Sequence, residues 1–264
     1  MQADQAIGVF DSGVGGLTVL AHIHRCLPNE KLLYVADSAF MPYGCKPEHA
    51  VEQRCLKIAA FFAAQQCKAV VVACNTATAV AVHLLREKYD FPVIGMEPAV
   101  KPAVCHSQSG VVGILATSAT AASEKFRQLT QRFDAEVELV VQACPGLVEQ
   151  IEQGESDNET TRILLQSFLH PLIEKGIDTL VLGCTHYPFL RALIRDIAGE
   201  HISIIDSGNA IACELERQLK HHQLLAENSA AASVEFWSSG HIQCVEPLLS
   251  HLWQERVLLK KLPF

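Results

Sequence analysis

Two cysteines of this sequence each end an apolar run of strand length and precede hydrogen-bonding residues. Cys74 follows "VVVA" and precedes Asn75 and Thr76, and Cys184 follows "LVLG" and precedes "THY". In an open α/β sheet, ligands bind outside the carboxyl ends of the strands, where a helix N-terminus stabilises an anion. We expect both cysteines just before a helix, where the reactive thiolate is favoured. The pattern predicts two reactive thiols, although either one alone is also compatible with a capped core residue.

The residues around the cysteines separate this pair from the rest. Thr185 offers a hydroxyl group beside the Cys184 thiol, and His186 offers a titratable ring. The other eight cysteines lack the combination of an apolar, strand-like run before the cysteine and hydrogen-bonding residues after it, and the sequence contains no C-x-x-C pair of a zinc or redox motif. We therefore expect most of those eight to be reduced, partly buried small hydrophobic residues outside any disulfide framework.

A glycine cluster near the start of the chain is a second candidate. The segment "FDSGVGGLTV" (10–19) predicts a strand that ends at Asp11 and Ser12, followed by glycines that open a helix. Thr18 stands where a dinucleotide fingerprint needs its third glycine, and the lysine of a P-loop is missing. The glycines let the backbone approach a ligand closely, or they form only a tight turn. Asp11 and Ser12 lie beside Cys74 if their strands are neighbours.

A third segment places polar residues after a predicted strand. In "ADSAFMPYG" (36–44), Asp37 ends the strand and the following loop carries Tyr43 and Gly44. Taken alone, this segment is typical of a surface turn. It becomes a candidate for function only in combination with the other segments.

Elements of an α/β protein must position these residues. Helical periodicity separates apolar, strand-like runs, and such runs are typical of parallel strands covered on both faces. We predict strands at 6–11, 31–37, 69–74, 91–96, 110–116, 137–143, 178–184 and 202–207, and helices at 16–26, 47–66 and 76–88. The fold class is therefore α/β, with mainly parallel sheets and right-handed crossovers.

An internal repeat predicts two related domains. The segment "IGVFDSGVGG" (7–16) matches "VGILATSATA" (112–121), and a cysteine-terminated run follows each of them at a similar distance. We predict two three-layer α/β/α domains: 1–97 with 208–264, which holds Cys74, and 98–207, which holds Cys184. We expect pseudo-twofold symmetry between them and an active site in their cleft.

The composition excludes several classes of protein. The 264 residues include only 19% charged residues, the net charge is −8, and no basic cluster is present. These features disfavour nucleic acid as a partner, and they argue against a disordered chain. The sequence shows no signal peptide at its start and no apolar run of membrane-spanning length. We expect a soluble, cytoplasmic protein.

Four motifs together resemble one family. The segments "FDSGVGGLTV", "ADSAFMPYG", "ACNTATA" and "LGCTHYPFL" are similar in wording, order and spacing to the cofactor-independent aspartate/glutamate racemases, and closest to members acting on glutamate. The resemblance implies interconversion of L-glutamate and D-glutamate, which supplies D-glutamate for peptidoglycan and so for the cell wall and cell shape. It also implies a homodimer. The first strand starts close to Met1, so we expect no activation of the kind found in members with an N-terminal extension.

The resemblance also implies roles for individual residues. Cys74 would deprotonate D-glutamate and Cys184 would deprotonate L-glutamate, each returning a proton when the other acts as base. Asp11 and His186 would assist proton transfer on the Cys74 and Cys184 sides. The implied substrate-binding residues are Asp11, Ser12, Tyr43, Gly44, Asn75, Thr76, Thr185 and His186.

The sequence predicts no cofactor and no metal. No motif places a lysine for a pyridoxal Schiff base, and no metal-ligand spacing such as H-E-x-x-H is present in the sequence. The adjacent pair His221 and His222 is typical of a solvated surface. The carbanion would then be stabilised by backbone N–H groups and neutral donors in a dry cleft.

Three other interpretations stay open at this point. A racemase of the same superfamily acting on aspartate or another amino acid also has two cysteines, and pocket volume would decide between the substrates. A non-catalytic amino-acid-binding module also has two α/β lobes, but it does not need two opposed thiols. A secondary interaction with DNA gyrase, known for some members of the family, is neither supported nor excluded by the sequence.

Overall fold

The computed structural model of the chain describes residues 1–133, 135–226 and 232–264. They divide into two compact units: residues 1–96 with 208–264 form unit 1, and residues 97–207 form unit 2. The described strands are β1 Ile7–Asp11, β2 Leu32–Ala36, β3 Ala69–Val72, β4 Val93–Gly95, β5 Val111–Ala116, β6 Glu138–Ala143, β7 Thr179–Gly183, β8 Ser203–Ile205, β9 Val234–Ser238 and β10 Leu259–Lys261.

Helices connect most of these strands. The described α-helices are α1 Leu17–Cys26, α2 Glu48–Ala64, α3 Asn75–Lys88, α4 Val100–His106, α5 Ser118–Ala122, α6 Glu124–Gln131, α7 Leu147–Glu152, α8 Glu159–Glu174, α9 Arg191–Ala198, α10 Gly208–His221 and α11 Ile242–Trp253. No helix within the described ranges is long and apolar enough to cross a membrane.

Each unit contains one parallel sheet. The strand order is β10-β9-β2-β1-β3-β4 in unit 1 and β6-β5-β7-β8 in unit 2, for the strands that the structure describes. The pairs in both sheets are parallel, which confirms the predicted α/β class. The order β2-β1-β3-β4 is the same as β6-β5-β7-β8, so the sequence repeat corresponds to a repeat of topology. Cys74 follows β3 and Cys184 follows β7, at equivalent places.

The sheets are covered on both faces. In unit 2, Leu115 and Leu182 belong to one buried cluster, with side chains of α7, α8 and α9. Their sequence neighbours Ile114 and Val181 belong to a second cluster, with side chains of α4 and α6. Because successive side chains of a strand point to opposite faces, the two clusters lie on opposite faces of the sheet. In unit 1, the strand residues of β1, β2 and β3 are all buried.

One buried ion pair stabilises the edge of unit 1 opposite the carboxyl ends of the strands. The Lys68 ammonium lies 2.5 Å from a carboxylate oxygen of Glu30, with side chains 0% and 2% exposed. Lys68 also donates to the carbonyl oxygen of Ala3, and the N–H group of Ala226 donates to Glu30 at 2.9 Å. The pair therefore joins the first residues of the chain to the entry of β3 and to the segment after α10.

We expect Lys68→Met to lower the free energy of unfolding by about 3–5 kcal/mol, because it leaves the Glu30 carboxylate buried without a counter-charge. Urea denaturation of the purified protein measures this change. Lys220→Met is the matched control, since Lys220 pairs with Glu216 on the exposed surface of α10 and such pairs contribute about 0.5 kcal/mol or less. Equal effects of the two substitutions would contradict the prediction.

Candidate active site

The Cys74 thiol lies at the N-terminus of α3. Cys74 is the N-cap residue in extended backbone conformation, and its sulfur accepts a hydrogen bond from the N–H group of Ala77 at 3.4 Å. The thiol is buried and lies 3.9 Å from the hydroxyl oxygen of Ser12. The helix N-terminus supplies partial positive charge to this sulfur. A helix N-terminus favours the thiolate form of a cysteine, so Cys74 stays a candidate for a reactive thiol.

The glycine cluster holds the carboxylate of Asp11. Asp11 is the last residue of β1 and is fully buried, and one carboxylate oxygen accepts N–H hydrogen bonds from Gly16 at 3.0 Å and Gly13 at 3.3 Å. A Cβ atom on Gly16 would lie 2.6 Å from Cβ of Asp11 and 2.9 Å from the hydroxyl oxygen of Tyr34. Glycine is therefore required at position 16 because the helix entry approaches Asp11 so closely.

Neighbouring strands bring Asp11 and Cys74 to the same edge of the sheet. β1 pairs with β3 with Phe10 opposite Val72, and the N–H group of Ala73 donates to the carbonyl oxygen of Phe10 at 2.8 Å. Asp11 follows Phe10, and Cys74 follows Ala73. We call the set Asp11, Ser12, Cys74, Asn75 and Thr76 the Cys74 cluster.

Asn75 is the most informative member of the Cys74 cluster. It begins α3 and is only 4% exposed, as is Thr76 beside it. Within the described residues, neither the amide oxygen nor the amide nitrogen of Asn75 has a hydrogen-bond partner. A buried polar group without a partner costs about 1–3 kcal/mol. A bound molecule with both a donor and an acceptor would remove that cost.

The turn that carries Tyr43 and Gly44 lies between β2 and α2. A short 3₁₀ helix spans Tyr43–Cys45, with Tyr43 buried and Gly44 half-buried. The Tyr43 hydroxyl donates to a carboxylate oxygen of Asp37 at 2.6 Å. Burial is the main cause that raises the pKa of Tyr43 well above its ordinary value, and the neighbouring Asp37 carboxylate raises it further. Tyr43 therefore remains a neutral phenol whose hydroxyl proton is directed to Asp37.

The environment of Cys184 differs from the expectation in one respect. Cys184 is buried directly after β7, as predicted, but the chain then forms a turn and a 3₁₀ helix, Tyr187–Leu190, before α9 begins at Arg191. The expectation of a helix immediately after this cysteine was wrong. Pro188, near the start of the turn, has no N–H group to donate. The Cys184 sulfur instead lies within hydrogen-bonding reach of the His186 ring.

A hydrogen-bonded chain links Cys184 to a buried carboxylate. The Cys184 sulfur lies 3.8 Å from Nδ1 of His186, and Nε2 of His186 lies 2.6 Å from Glu152 at the end of α7. Thr185 Oγ1 lies 3.3 Å from the same Nδ1. The side chains of His186 and Glu152 are 2% and 4% exposed. We call the set Glu152, Cys184, Thr185 and His186 the Cys184 cluster.

The Cys184 cluster favours a protonated histidine. Burial lowers the pKa of His186, but the hydrogen bonds with Cys184 and Glu152 and the negative charges of both groups raise it well above its ordinary value. A thiol joined to an imidazole that a third group orients is a recurrent arrangement for an activated sulfur. The arrangement can take a proton from carbon onto sulfur and stabilise the thiolate when the proton leaves.

Sequence reasoning missed Glu152. The residue lies in "LVEQIEQG", where acidic side chains are typical of an exposed helix surface. Only its place shortly after β6, at the carboxyl edge of the second sheet, could have suggested a role. The structure brings the other candidates together in two groups: Asp11, Ser12, Tyr43, Gly44, Cys74, Asn75 and Thr76 belong to unit 1, and Cys184, Thr185 and His186 belong to unit 2.

Two parallel α/β units, each with a buried thiol after the equivalent strand, define the class of protein. The chain belongs to the Asp/Glu/Hydantoin racemase family, whose model matches residues 7–215. A curated glutamate racemase from Methylococcus capsulatus is 50% identical over 260 residues, which cover 98% of this chain and 96% of that protein.

Solved structures are similar over nearly the whole length. A glutamate racemase isoform from Bacillus anthracis superposes with a TM-score of 0.90 at 32% identity, covering 100% of this chain and 99% of that chain. A glutamate racemase from Francisella tularensis, in complex with D-glutamate, superposes with a TM-score of 0.86 at 28% identity, covering 98% of each chain.

Proposed function

We propose that this chain is a glutamate racemase that interconverts L-glutamate and D-glutamate by proton transfer at Cα between two cysteines. The single observation that carries the mechanism is the pair of buried thiols after the equivalent strands β3 and β7, each beside a different ionisable neighbour. The relatives named glutamate racemase support the substrate. Membership of the family supports the reaction type.

The Cys74 cluster acts on D-glutamate. The Cys74 thiolate removes the Cα proton, the C–H electron pair remains on carbon, and the Cys184 thiol then donates its proton to the opposite face to give L-glutamate. Ser12 and the N–H groups at the start of α3 stabilise the Cys74 sulfur, and the buried Asn75 amide hydrogen-bonds to the substrate.

The Cys184 cluster acts on L-glutamate by the reverse sequence. The Cys184 thiolate removes the Cα proton and the Cys74 thiol donates the other. His186 is protonated and hydrogen-bonded to Cys184, so it stabilises the thiolate before the proton is taken. Glu152 does not touch the thiol and acts through His186 as a positioning residue.

Neutral donors stabilise the carbanion in this proposal. Asn75, Thr76 and Thr185 are buried polar residues directly after the reacting thiols, and fixed donors in a water-poor site stabilise developing negative charge strongly. No cofactor takes part. The Tyr43 hydroxyl is directed to Asp37, so the turn at Tyr43 and Gly44 contacts substrate through its backbone.

The biological role and assembly belong to the same proposal. The enzyme supplies D-glutamate for peptidoglycan synthesis, and so serves the cell wall and cell shape, as a cytoplasmic homodimer. These points rest on the resemblance of the four motifs. The net charge of −8 supports a protein without a nucleic-acid or membrane partner.

Solvent isotope exchange tests the proposed function. In deuterium oxide, the wild-type protein is expected to incorporate deuterium at Cα of both L-glutamate and D-glutamate, with aspartate exchanging at least about a hundredfold more slowly. Mass spectrometry and chiral chromatography measure label and handedness. A chelator and a carbonyl reagent should leave the rate unchanged, whereas thiol alkylation should abolish it. Faster exchange of aspartate than of glutamate would assign the chain to the other substrate.

A further inference from the structure

A buried ion pair lies directly behind the turn that carries Tyr43. Asp37, the residue after β2, is fully buried and accepts the Tyr43 hydroxyl at 2.6 Å and Nε of Arg54 at 2.9 Å on the same oxygen. Nη2 of Arg54 donates to the other oxygen. The Arg54 side chain comes from α2 and is 15% exposed. Such a two-point arginine–carboxylate contact fixes direction as well as charge.

Two aromatic rings hold the guanidinium of Arg54 in place. Its central carbon lies 5.2 Å from the ring centroid of Phe40 and 5.3 Å from that of Phe264. The ring of Phe40 also packs edge-on against Tyr43, with centroids 6.3 Å apart. Cation–π contacts of this kind are worth about 0.5–2 kcal/mol each and restrict the side chain to one orientation. The guanidinium therefore has little freedom to leave Asp37.

The ion pair is also joined to the Cys74 cluster through the backbone. The N–H group of Asp37 donates to the carbonyl oxygen of Asp11 at 3.0 Å. Tyr43 and Cys74 belong to the same buried cluster of side chains. A displacement of Asp37 therefore affects both the Tyr43 turn and the strand end that carries Asp11.

We propose that Arg54 is a positioning residue for substrate binding: through Asp37 it fixes the Tyr43–Gly44 turn beside the Cys74 cluster without touching the substrate. Without Arg54, the fully buried Asp37 carboxylate has lost its counter-charge and either takes up a proton or turns toward water. Tyr43 then loses a fixed acceptor. This inference rests on the proposed racemase function for its kinetic consequence, but not for its structural one.

The kinetic test uses Arg54→Met, Tyr43→Phe and the double variant. We expect Arg54→Met to lower kcat/KM for glutamate by about 10- to 100-fold, because small misplacements of binding groups cost this much. Most of the loss should be a rise in KM. Arg54→Lys keeps the charge but not the two-point contact and should recover part of the loss. Because the two side chains act through Asp37, the double variant should be no worse than the poorer single variant.

Hydrogen–deuterium exchange gives a readout that does not depend on activity. We expect the amides of residues 38–46 to exchange at least about tenfold faster in Arg54→Met than in the wild type, and no change in Arg217→Met. Arg217 is a matched control, because it makes a two-point contact to Glu214 on the exposed surface of α10. If Arg54→Met does not fold, the kinetic and hydrogen–deuterium exchange measurements are made on Arg54→Lys and Tyr43→Phe.

The two arms separate failure of this inference from failure of the proposed function. If the wild-type protein does not racemise glutamate, the proposed function is wrong. Hydrogen–deuterium exchange of the amides of residues 38–46 still decides the role of Arg54. Unchanged exchange in Arg54→Met overturns the positioning role. The positioning role is also overturned if Arg54→Met lowers kcat alone, or if the losses in kcat/KM of Arg54→Met and Tyr43→Phe add up in the double variant.

Discussion

Replacing Cys74 or Cys184 by serine is expected to lower glutamate racemisation by at least about a thousandfold, since each thiol is both a base and an acid in the cycle. Serine has nearly the same shape as cysteine, but its hydroxyl is a far weaker acid than a thiol, whose ordinary pKa is about 8.5. Each variant keeps one base. Cys74→Ser should still deprotonate L-glutamate and Cys184→Ser should still deprotonate D-glutamate.

Racemisation rates alone do not show which enantiomer each thiol deprotonates. The two enantiomers have equal free energies in water, so the equilibrium constant is unity and kcat/KM is the same in both directions for every variant. A partial reaction is needed. A glutamate analogue with a leaving group on Cβ requires only the first proton abstraction, after which the carbanion expels that group. Elimination from each enantiomer therefore measures each base by itself.

The expected result is opposite enantiomer preference for the two variants in the elimination assay. Two buried thiols serve as matched controls, Cys67→Ser in unit 1 and Cys144→Ser in unit 2. Burial raises the pKa of each of these thiols to about 12, so both remain protonated and neither is a base. Both controls should racemise at near the wild-type rate. Elimination from the same enantiomer by both active-site variants would contradict the assignment of one thiol to each enantiomer.

The parts of this site that the sequence predicts are those fixed by strand ends. Parallel strands place their carboxyl ends at one edge of a sheet, so a polar residue after an apolar run is a candidate wherever the run lies in the sequence. Asp11 and Cys74 are candidates of this kind, and the pairing of β1 with β3 puts the strand ends that precede them side by side. The repeat extends the same reasoning to Cys184.

The parts that the sequence does not predict depend on contacts between distant segments. Glu152 looks like a surface residue until α7 is placed, where its buried carboxylate meets Nε2 of His186. The acceptor of the Tyr43 hydroxyl is likewise set by the path of the chain after β2. The strands β9 and β10 were not predicted: β10 has three residues, and only two of the five residues of β9 are buried. Short strands give too little pattern to recognise.

The two thiols have different proton environments despite the repeat. In the matched segments "IGVFDS" and "VGILAT", Ala116 stands where Asp11 stands in the first copy. In the Cys184 cluster the ionisable neighbour is His186, which follows β7. Its ring is hydrogen-bonded to Glu152 at the end of α7. A change in Glu152 should therefore affect the two half-reactions unequally.

Glu152→Gln is expected to slow elimination from the L-enantiomer of the analogue by about 10- to 100-fold, which is less than the factor of about 10²–10⁴ that an acid–base group itself contributes, because Glu152 acts only through His186. Elimination from the D-enantiomer should be nearly unchanged. Glutamine is close in shape to glutamate but lacks the charge that, with Cys184, raises the pKa of His186. In the variant His186 loses its proton at lower pH, so the alkaline limb of the L-side profile should move to lower pH.

The same substitution has a linked effect on stability. A histidine whose pKa is raised by folding stabilises the folded state fully below its unfolded pKa of about 6.5, and this contribution disappears as the pH rises through the folded pKa. Urea denaturation should therefore show the largest difference between the wild type and Glu152→Gln at acidic pH, with the difference shrinking as the pH rises. Glu149→Gln removes the same charge from the same helix but leaves the bond between Glu152 and His186 intact, so it should change neither profile. Equal loss on the L and D sides in Glu152→Gln, or an unmoved alkaline limb, would show that Glu152 does not act through His186.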